Sequence, residues 1–401
     1  MARRIAIVVG NYVNVVDGVA LTFGRLVRAR LLAGDRVLVL APGAERPRVE
    51  PAGAFVPLPA IPIPLQPEYR LALGIPPATR RLLERFEPDL IHIGSPDLAG
   101  LAALDFAAAH AIPAVASYHS EIAGYLRYLP GLAARLGPAL ELGMWRWIRR
   151  FYGRCRHVYA PSESMVETLR ARGIAAELRV WGRGVDTRRF APSRRSLSWR
   201  RSIGVADELP LIGFVARLRW EKGLASLAAT LDRLAATGPS HASFIAGDGP
   251  ARAELERRCP HTQFLGELGV AQLARAYASA DLFLYPSATE TFGNVTLEAM
   301  ASGLPTICAD ANGSRSLVVP GETGELIPPG DADGFARAAA ALLADPERRQ
   351  AMGRAAWTRA QGRSWDRAIE QCVGHWDDAI GRGRPPTPGK SPPRVLPPRS
   401  S

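Results

Sequence analysis

Short apolar runs alternate with stretches whose apolar residues recur at helical spacing almost from end to end of the 401 residues. That is the pattern of parallel strand–helix–strand units. In the first half the runs predict strands at Ile5–Val9, Arg36–Leu40, Leu90–Gly94, Ala114–Ser117, His157–Ala160 and Leu178–Trp181. In the second half they predict strands at Leu211–Val215, Ala242–Ala246, Gln263–Leu265, Asp281–Tyr285, Pro305–Cys308 and Gly324–Ile327. Two sets of six imply an α/β protein of two doubly wound, Rossmann-like parallel-sheet domains with a cleft between them, although no sequence repeat links the halves. The polar stretch around Gly182–Trp199 lacks periodic pattern and carries Gly184 and Pro192, so the boundary falls there. The expected division is 1–185 for the first domain, 186–200 for the hinge and 201–363 for the second domain. Residues 364–381 form a helix returning to the first domain, and 382–401, rich in Gly, Arg, Pro and Ser, form a disordered tail. The Pro-rich Val56–Pro67 reads as an irregular loop.

Composition fits two cores: 47% of residues are hydrophobic and 22% charged, in a chain longer than one core usually supports. The run Ile5–Val9 after Arg3 and Arg4 is too short for a signal peptide and lacks a small-residue cleavage site, so it reads as a buried strand. No stretch reaches the ~18 apolar residues of a membrane span. Cys155, Cys259, Cys308 and Cys372 lie far apart with no CxxC pair, which argues against zinc and against a disulfide framework, and for reduced thiols in the cytoplasm. The formal charge of +12 fits nucleic acid, anionic lipid or a phosphate-rich ligand alike. More selective is that only Lys222 and Lys390 are lysine, so nearly every cation is arginine.

The densest chemistry lies between Tyr285 and Pro305. A strand ends at Tyr285, a polar loop carries Glu290, and a helix starts near Gly293 with Glu298 about one turn inside it. This loop lies beyond the carboxyl end of a parallel strand, where ligands of open sheets bind, and the helix start offers free amides to a phosphate. Taken singly, Glu298 reads as a solvated helix carboxylate and Glu290 as a loop charge. Arg217 follows the strand Leu211–Val215, and Lys222 precedes Gly223 at a helix start, so both cations face the same crevice and can neutralise a leaving diphosphate. A lysine kept in an arginine-rich chain implies a place where guanidinium does not fit. In the first half, Gly10 to Val19 forms a strand–loop–helix without GxGxxG, and His119 lies at the end of the fourth strand. A lone histidine there also reads as a strand cap.

Glu290 and Glu298, separated by seven residues with Phe292-Gly293 between, resemble the hallmark of the retaining GT-B glycosyltransferases of family 4, which include glycogen synthases and phosphatidylinositol mannosyltransferases. The resemblance implies that Glu298 holds the donor's ribose hydroxyls. Glu290 and the segment Phe292, Gly293, Asn294 and Val295 would hold the donor sugar. Gly213-Phe-Val-Ala-Arg217 through Lys222-Gly223 resembles the family's diphosphate clamp, and Gly247-Asp248-Gly249-Pro250 its nucleoside-side turn. Gly18 matches a glycine expected near the diphosphate and acceptor, while Asp17 stands where another glycine is common, which leaves its role open. Ala116-Ser-Tyr-His119 matches the family's histidine beside the donor sugar. Val180-Trp-Gly-Arg-Gly-Val-Asp186, Pro88–Ile93 and Ser117–Ser120 resemble the subgroup of GDP-mannose-dependent α-mannosyltransferases and sulfoquinovosyldiacylglycerol synthases.

The expectation is therefore a retaining, metal-independent hexosyltransferase, moving mannose from GDP-mannose to a lipid or glycan acceptor and using no cofactor. A UDP-sugar-dependent glucosyl-, glucuronosyl- or sulfoquinovosyltransferase is the alternative, and a non-catalytic sugar-nucleotide-binding scaffold the reading from another class. A phosphorylase would need a pyridoxal-phosphate lysine, which neither lysine supplies convincingly. Asp331-Ala-Asp333 spells a metal-binding DxD, yet it opens a helical pattern and reads as an N-cap. Between Tyr125 and Arg156, arginines interleave with Trp145, Trp147, Phe151 and Tyr152. No nucleic-acid module accompanies them, so an anionic membrane surface is the functional reading and an ordinary helix with buried aromatics the bland one.

Overall fold

In a computed structural model of the protein, residues 2–44, 46–63, 66–119 and 132–381 are described. The tail 382–401 and the beginning of the basic-aromatic stretch lie outside them. The strands are β1 (Arg4–Val8), β2 (Arg36–Pro42), β3 (Ala54–Leu58), β4 (Ala60–Ile63), β5 (Gln66–Ala72), β6 (Leu90–Ile93), β7 (Ala114–Ser117), β8 (His157–Ala160) and β9 (Glu177–Val180) in the first half. The second half holds β10 (Leu211–Val215), β11 (Ala242–Ala246), β12 (Gln263–Gly266), β13 (Leu282–Tyr285), β14 (Thr306–Ala309) and β15 (Gly324–Ile327). One parallel sheet has the order β3-β2-β1-β6-β7-β8-β9 and the other β12-β11-β10-β13-β14-β15. Both reverse direction at a central strand: β1 pairs with β2 and β6, and β10 with β11 and β13. The loops after β1, β10 and β13 therefore open at the switch points, where a parallel sheet leaves a crevice.

The Pro-rich stretch departs from the expected irregular loop. Ala54–Leu58 adds a seventh strand to the first sheet, and β4 and β5 form an antiparallel hairpin. Proline removes a ladder donor, and Pro57 is tolerated because β3 is an edge strand whose neighbour lies on one side only. Apolar alternation interrupted by proline conceals such strands from sequence.

Three apolar clusters fill the molecule. One covers the second sheet, and the other two cover the opposite faces of the first. The last helix, Trp365–Gly381, packs on the first sheet through Cys372, Trp376 and Ala379. Trp376 is fully buried, and its indole donates to His92 Nδ1 at 3.2 Å. The chain crosses between the sheets twice, and the two crossings lie side by side. Val185 N donates to the Arg363 carbonyl at 2.9 Å, and Val185 bridges Ser364. A side chain at Gly184 would sit 2.2 Å from the Trp365 amide nitrogen, so only glycine permits this approach. Beyond the crossing, Phe190 is buried in the second core, and fully buried Arg200 pairs with Asp281 at 2.8 Å.

The helix Leu132–Tyr152 divides the basic-aromatic stretch between two faces. Trp145, Ile148, Phe151 and Tyr152 are core residues, and Trp147 donates to the Pro96 carbonyl at 2.8 Å. Arg146, Arg149 and Arg150 face outward with Leu140 and Leu142. Helical periodicity sorts the two residue types, so the aromatics serve packing and the arginines form the exposed face. Among the described residues no helix is long and apolar enough to cross a membrane. All four cysteines are free and buried.

Trp376 couples the end of the chain to the first sheet. Trp376→Ala leaves a cavity and removes the donor to His92, and is expected to destabilise the protein by ~3–5 kcal/mol. Urea denaturation followed by circular dichroism measures it; a loss no larger than that of an exposed substitution such as Trp357→Ala would show that the helix is not a structural anchor.

Candidate active site

The crevice between the two sheet edges gathers charge from both domains. Lys222 ends a short turn, Trp220–Lys222, in the loop after β10, and its Nζ donates to Glu290 Oε1 at 2.5 Å. The Tyr285 hydroxyl, at the end of β13, donates to the same oxygen at 2.7 Å. Burial works to raise the Glu290 carboxyl, but the charge of Lys222 and these two donors hold it below the ordinary range. The loop and the helix Asn294–Ala301 that follows place Phe292 in the core and Val295 half-buried against it. Asn294 Oδ1 is buried without a hydrogen-bond partner.

Glu298 lies in the second turn of that helix. Burial pushes its carboxyl up to about 7, against the opposing effects of the adjacent Tyr277 hydroxyl and of Arg25 from the first domain. The domains meet closely here: a Cβ at Gly18 would lie 2.6 Å from Asn294 Nδ2.

Arg217 is engaged by the first domain. Its Nη2 lies 3.0 Å from Glu68 Oε1 on β5, Nη1 donates to the Tyr69 hydroxyl at 3.2 Å, and the guanidinium stands 5.5 Å from the Tyr69 ring. Arg219 reaches the same Glu68 oxygen at 2.8 Å. Burial would raise the Glu68 carboxyl, but its own backbone amide and the two guanidiniums hold it down. The Tyr69 hydroxyl donates in turn to Asp17 Oδ2 at 3.2 Å. Asp17 Oδ1 caps the helix Gly18–Leu32, accepting from the Val19 and Ala20 amides at 3.0 and 2.9 Å, and Asn11 donates to Oδ2 at 2.8 Å. Both Asp17 oxygens are thus committed within the protein, which accounts for a carboxylate where a glycine was expected.

His119 follows β7. Its Nδ1 accepts from Arg183 Nη2, and its backbone carbonyl accepts from Thr291 Oγ1 across the cleft at 2.8 Å. Burial, then Arg183 and His92, hold its imidazole far below the usual histidine range. Asp248 stays apart from the Lys222–Glu290 group. It sits in the turn after β11, where Oδ1 accepts from the Gly249 amide at 2.7 Å and the carbonyl accepts from Leu218 N at 2.9 Å.

The structure thus gathers Lys222 and Glu290, and places Arg217, Glu298, His119, Gly18, Asp17 and the Phe292–Val295 segment along the same inter-domain crevice. Sequence reasoning missed Glu68, Tyr69, Arg25 and Arg183. Only Arg183 carried a signal, since it lies inside the Val180–Asp186 motif. Chemically, the crevice offers cations for an anionic leaving group, carboxylates that accept from hydroxyls and an imidazole that cannot readily charge. Among the described residues no three His, Cys, Asp or Glu side chains cluster as metal ligands. Asp331 caps the helix Ala332–Ala344, and Asp333 pairs with Arg233.

Below pH 4.5 Glu298 carries its proton in the native and the unfolded chain alike; between 4.5 and about 7 only the native protein keeps it. Native stability contributed by this group therefore falls as pH rises through that window and stays low above it. Glu298→Gln abolishes the effect, so the melting temperature of the variant relative to the parent protein is expected to increase from pH 5 to pH 8. A difference independent of pH would refute a buried, proton-retaining carboxyl.

Comparison with known proteins agrees with this geometry. The model of Glycosyltransferase Family 4 matches residues 16–189, and that of Glycosyl transferases group 1 matches 196–359. A GDP-mannose-dependent alpha-mannosyltransferase of Mycolicibacterium smegmatis is 37% identical over 94% of this chain and 98% of its own length. Its namesake in Corynebacterium glutamicum is 35% identical over 94% and 89%. The sulfoquinovosyl transferase SQD2 of Arabidopsis thaliana is 32% identical over 90% and 71%. Among solved structures, a sucrose-phosphate synthase of Thermosynechococcus elongatus superposes with a TM-score of 0.77 at 21% identity, covering 95% of this chain and all of that one. HepE of Anabaena, solved with UDP and glucose, gives 0.72 at 20% identity over 94% of this chain and all of its own. These last two share the fold, two Rossmann-like domains about a cleft. With sequence likeness running through both domains and a charged crevice between them, the chain belongs to the family 4 glycosyltransferases and is a glycosyltransferase of GT-B fold.

Proposed function

We propose that the protein transfers mannose from GDP-mannose to a hydroxyl of a lipid or glycan acceptor, with retention of configuration and without a metal. The observation that carries the reading is identity of 35–37% to GDP-mannose-dependent alpha-mannosyltransferases over 94% of the chain. The crevice supports it. Lys222 and Arg217 are the cations for the diphosphate: each now rests on a carboxylate, Glu290 or Glu68, that a more highly charged ligand can displace. Neutralising the leaving phosphate stabilises charge that develops only in the transition state. Glu290 and the amides at the start of the helix Asn294–Ala301 hold the sugar, and Asn294 Oδ1 is an acceptor awaiting a donor. Glu298 takes the ribose hydroxyls, whose donated hydrogen bonds favour its ionised form. Asp248, in the turn after β11, lies on the nucleoside side. Because burial and Arg183 oppose a second proton on His119, deprotonation of the acceptor falls to the leaving phosphate on the same face of the sugar, which gives retention. SQD2, at 32% identity over 90% of the chain, favours a UDP-sugar donor as the second reading.

The exposed arginines of the helix Leu132–Tyr152 support work at the cytoplasmic face of an anionic membrane.

A transfer assay offering GDP-mannose, UDP-glucose and UDP-sulfoquinovose tests the donor. GDP-mannose is expected to be consumed, with an α-linked product by NMR and activity unaffected by excess chelator. Turnover of a UDP-sugar alone moves the assignment to the second reading, and activity lost to chelator and restored by Mn²⁺ overturns metal independence. Sedimentation with anionic vesicles is expected at low salt, weakening as salt rises and in the variant Arg149→Glu/Arg150→Glu. No sedimentation at low salt points to a soluble acceptor.

A further inference from the structure

Arg183 is a buried cation with no carboxylate against it among the described residues. It follows β9 on the first crossing between the domains, and its relative exposure is 7%. Its Nη1 donates to the carbonyls of Trp181 at 2.9 Å and Gly182 at 3.1 Å, the guanidinium lies 4.9 Å from the Trp181 ring, and Nη2 donates to His119 Nδ1. Burying a guanidinium without a counter-ion is unfavourable, and here three neutral acceptors offset that cost.

We propose that Arg183 fixes the tautomer of His119, so that the imidazole meets the donor sugar as an Nε2–H hydrogen-bond donor and takes no proton from the acceptor. This deepens the reading of the crevice as the donor-sugar site and rests on it.

Guanidinium has five N–H donors and no acceptor. A ring nitrogen facing it must offer a lone pair, so Nδ1 is unprotonated, and the one proton of the neutral ring resides on Nε2. The groups packed around the ring keep it neutral. Phe23 and Trp181 meet it edge-on at 5.2 and 5.9 Å, and neither carries charge. Thr291, from the opposite domain, bonds only the backbone carbonyl. Among the described residues the titratable neighbours are Arg183 and His92, with Cys372 facing Arg183. His92 offers no negative charge, because it is itself held neutral. The Trp376 indole, a donor only, occupies its Nδ1, which leaves Nε2–H to donate to Ser117 Oγ at 2.6 Å. A second proton on His119 would set imidazolium against guanidinium inside the protein, and burial and Arg183 both oppose it.

His119 Nε2 is buried and has no hydrogen-bond partner. An N–H left unmet there is costly, and the cost vanishes when a ligand oxygen arrives. Thr291, bonded to the His119 carbonyl, adjoins Glu290, so the ring and the loop assigned to the sugar meet across the cleft. An oxygen of the donor sugar is the acceptor this N–H is suited to. Arg183 is then a positioning residue, acting through His119 without touching substrate.

The test uses the full-length protein with ¹⁵N-labelled histidine. The chain has seven histidines, so the His119 signals are assigned by their disappearance in His119→Gln. In the parent protein His119 is expected to show the Nε2–H tautomer without titrating between about pH 5 and 8. In Arg183→Met the Nδ1 lone pair loses its donor and the ring its repelling charge. The tautomers are expected to mix, titration to appear in that range, kcat to fall about tenfold or more, and kcat to acquire a new acid limb. Arg183→Lys, which retains a charged donor, is expected to recover most of the tautomer and the flat profile. Calorimetric affinity for GDP should be unchanged in both variants, separating this role from a damaged nucleotide site. An Nδ1–H signal in the parent protein, or an Arg183→Met variant with the same tautomer and pH profile, overturns the proposal. If Arg183→Met fails to fold, the parent spectrum and Arg183→Lys still decide. The spectra need no donor, so an error in the donor assignment leaves this result standing.

Discussion

Every strand of a parallel sheet ends on the same edge, and in this protein two such edges are held face to face. The constraint that holds them is the paired crossing of the chain, where Val185 bonds Arg363 and Gly184 passes against Trp365 at a distance no side chain allows. Because the crossings adjoin, the loops after β1 and β7 meet those after β10 and β13 over a short span. Gly18 against Asn294, and Thr291 on the His119 carbonyl, are the contacts that result. The last helix completes the frame by returning to the first sheet through Trp376.

Within that frame the cations in the loop after β10 follow one rule: each rests on a protein carboxylate. Lys222 rests on Glu290, and Arg217 with Arg219 on Glu68. These pairs limit the cost of partly burying cations. Arg217 and Glu68 belong to different domains, so this pair also joins the domains. Arg183 differs. It is buried deeper, and its hydrogen bonds among the described residues go to two carbonyls and the His119 ring, all neutral.

Glu290 and Glu298 show how environment separates two carboxyls eight positions apart. Burial acts on both. Glu290 faces the ammonium of Lys222 and stays ionised, whereas Glu298 has a phenol beside it and only a distant effect of Arg25, and its carboxyl rises to about 7. A carboxyl paired with a cation keeps its charge; one whose burial no cation offsets holds its proton to higher pH.

The sequence by itself determined the alternation of strands and helices, the two-sheet architecture and the loop-to-helix segment carrying Glu290 and Glu298. These are local signals: apolar runs of strand length, a glycine at each end of a helix, and chemistry placed where a parallel strand must stop. It pointed to the family as well, because the segments around Glu290, Lys222 and His119 resemble the family's motifs in order and spacing. It did not disclose β3 and the β4–β5 hairpin, where proline broke the pattern, nor which side of the helix Leu132–Tyr152 its tryptophans would take. Tertiary structure alone decided the pairings: Glu68 with Arg217 across about 150 positions of chain, Arg183 with His119, and Asp17 as a helix cap tied to Tyr69. A hydrogen bond between distant residues leaves no periodicity, and protonation depends on burial and neighbours that no local stretch contains. Which charges are paired, which imidazole stays neutral and which carboxyl keeps its proton are settled only when the two sheet edges come together.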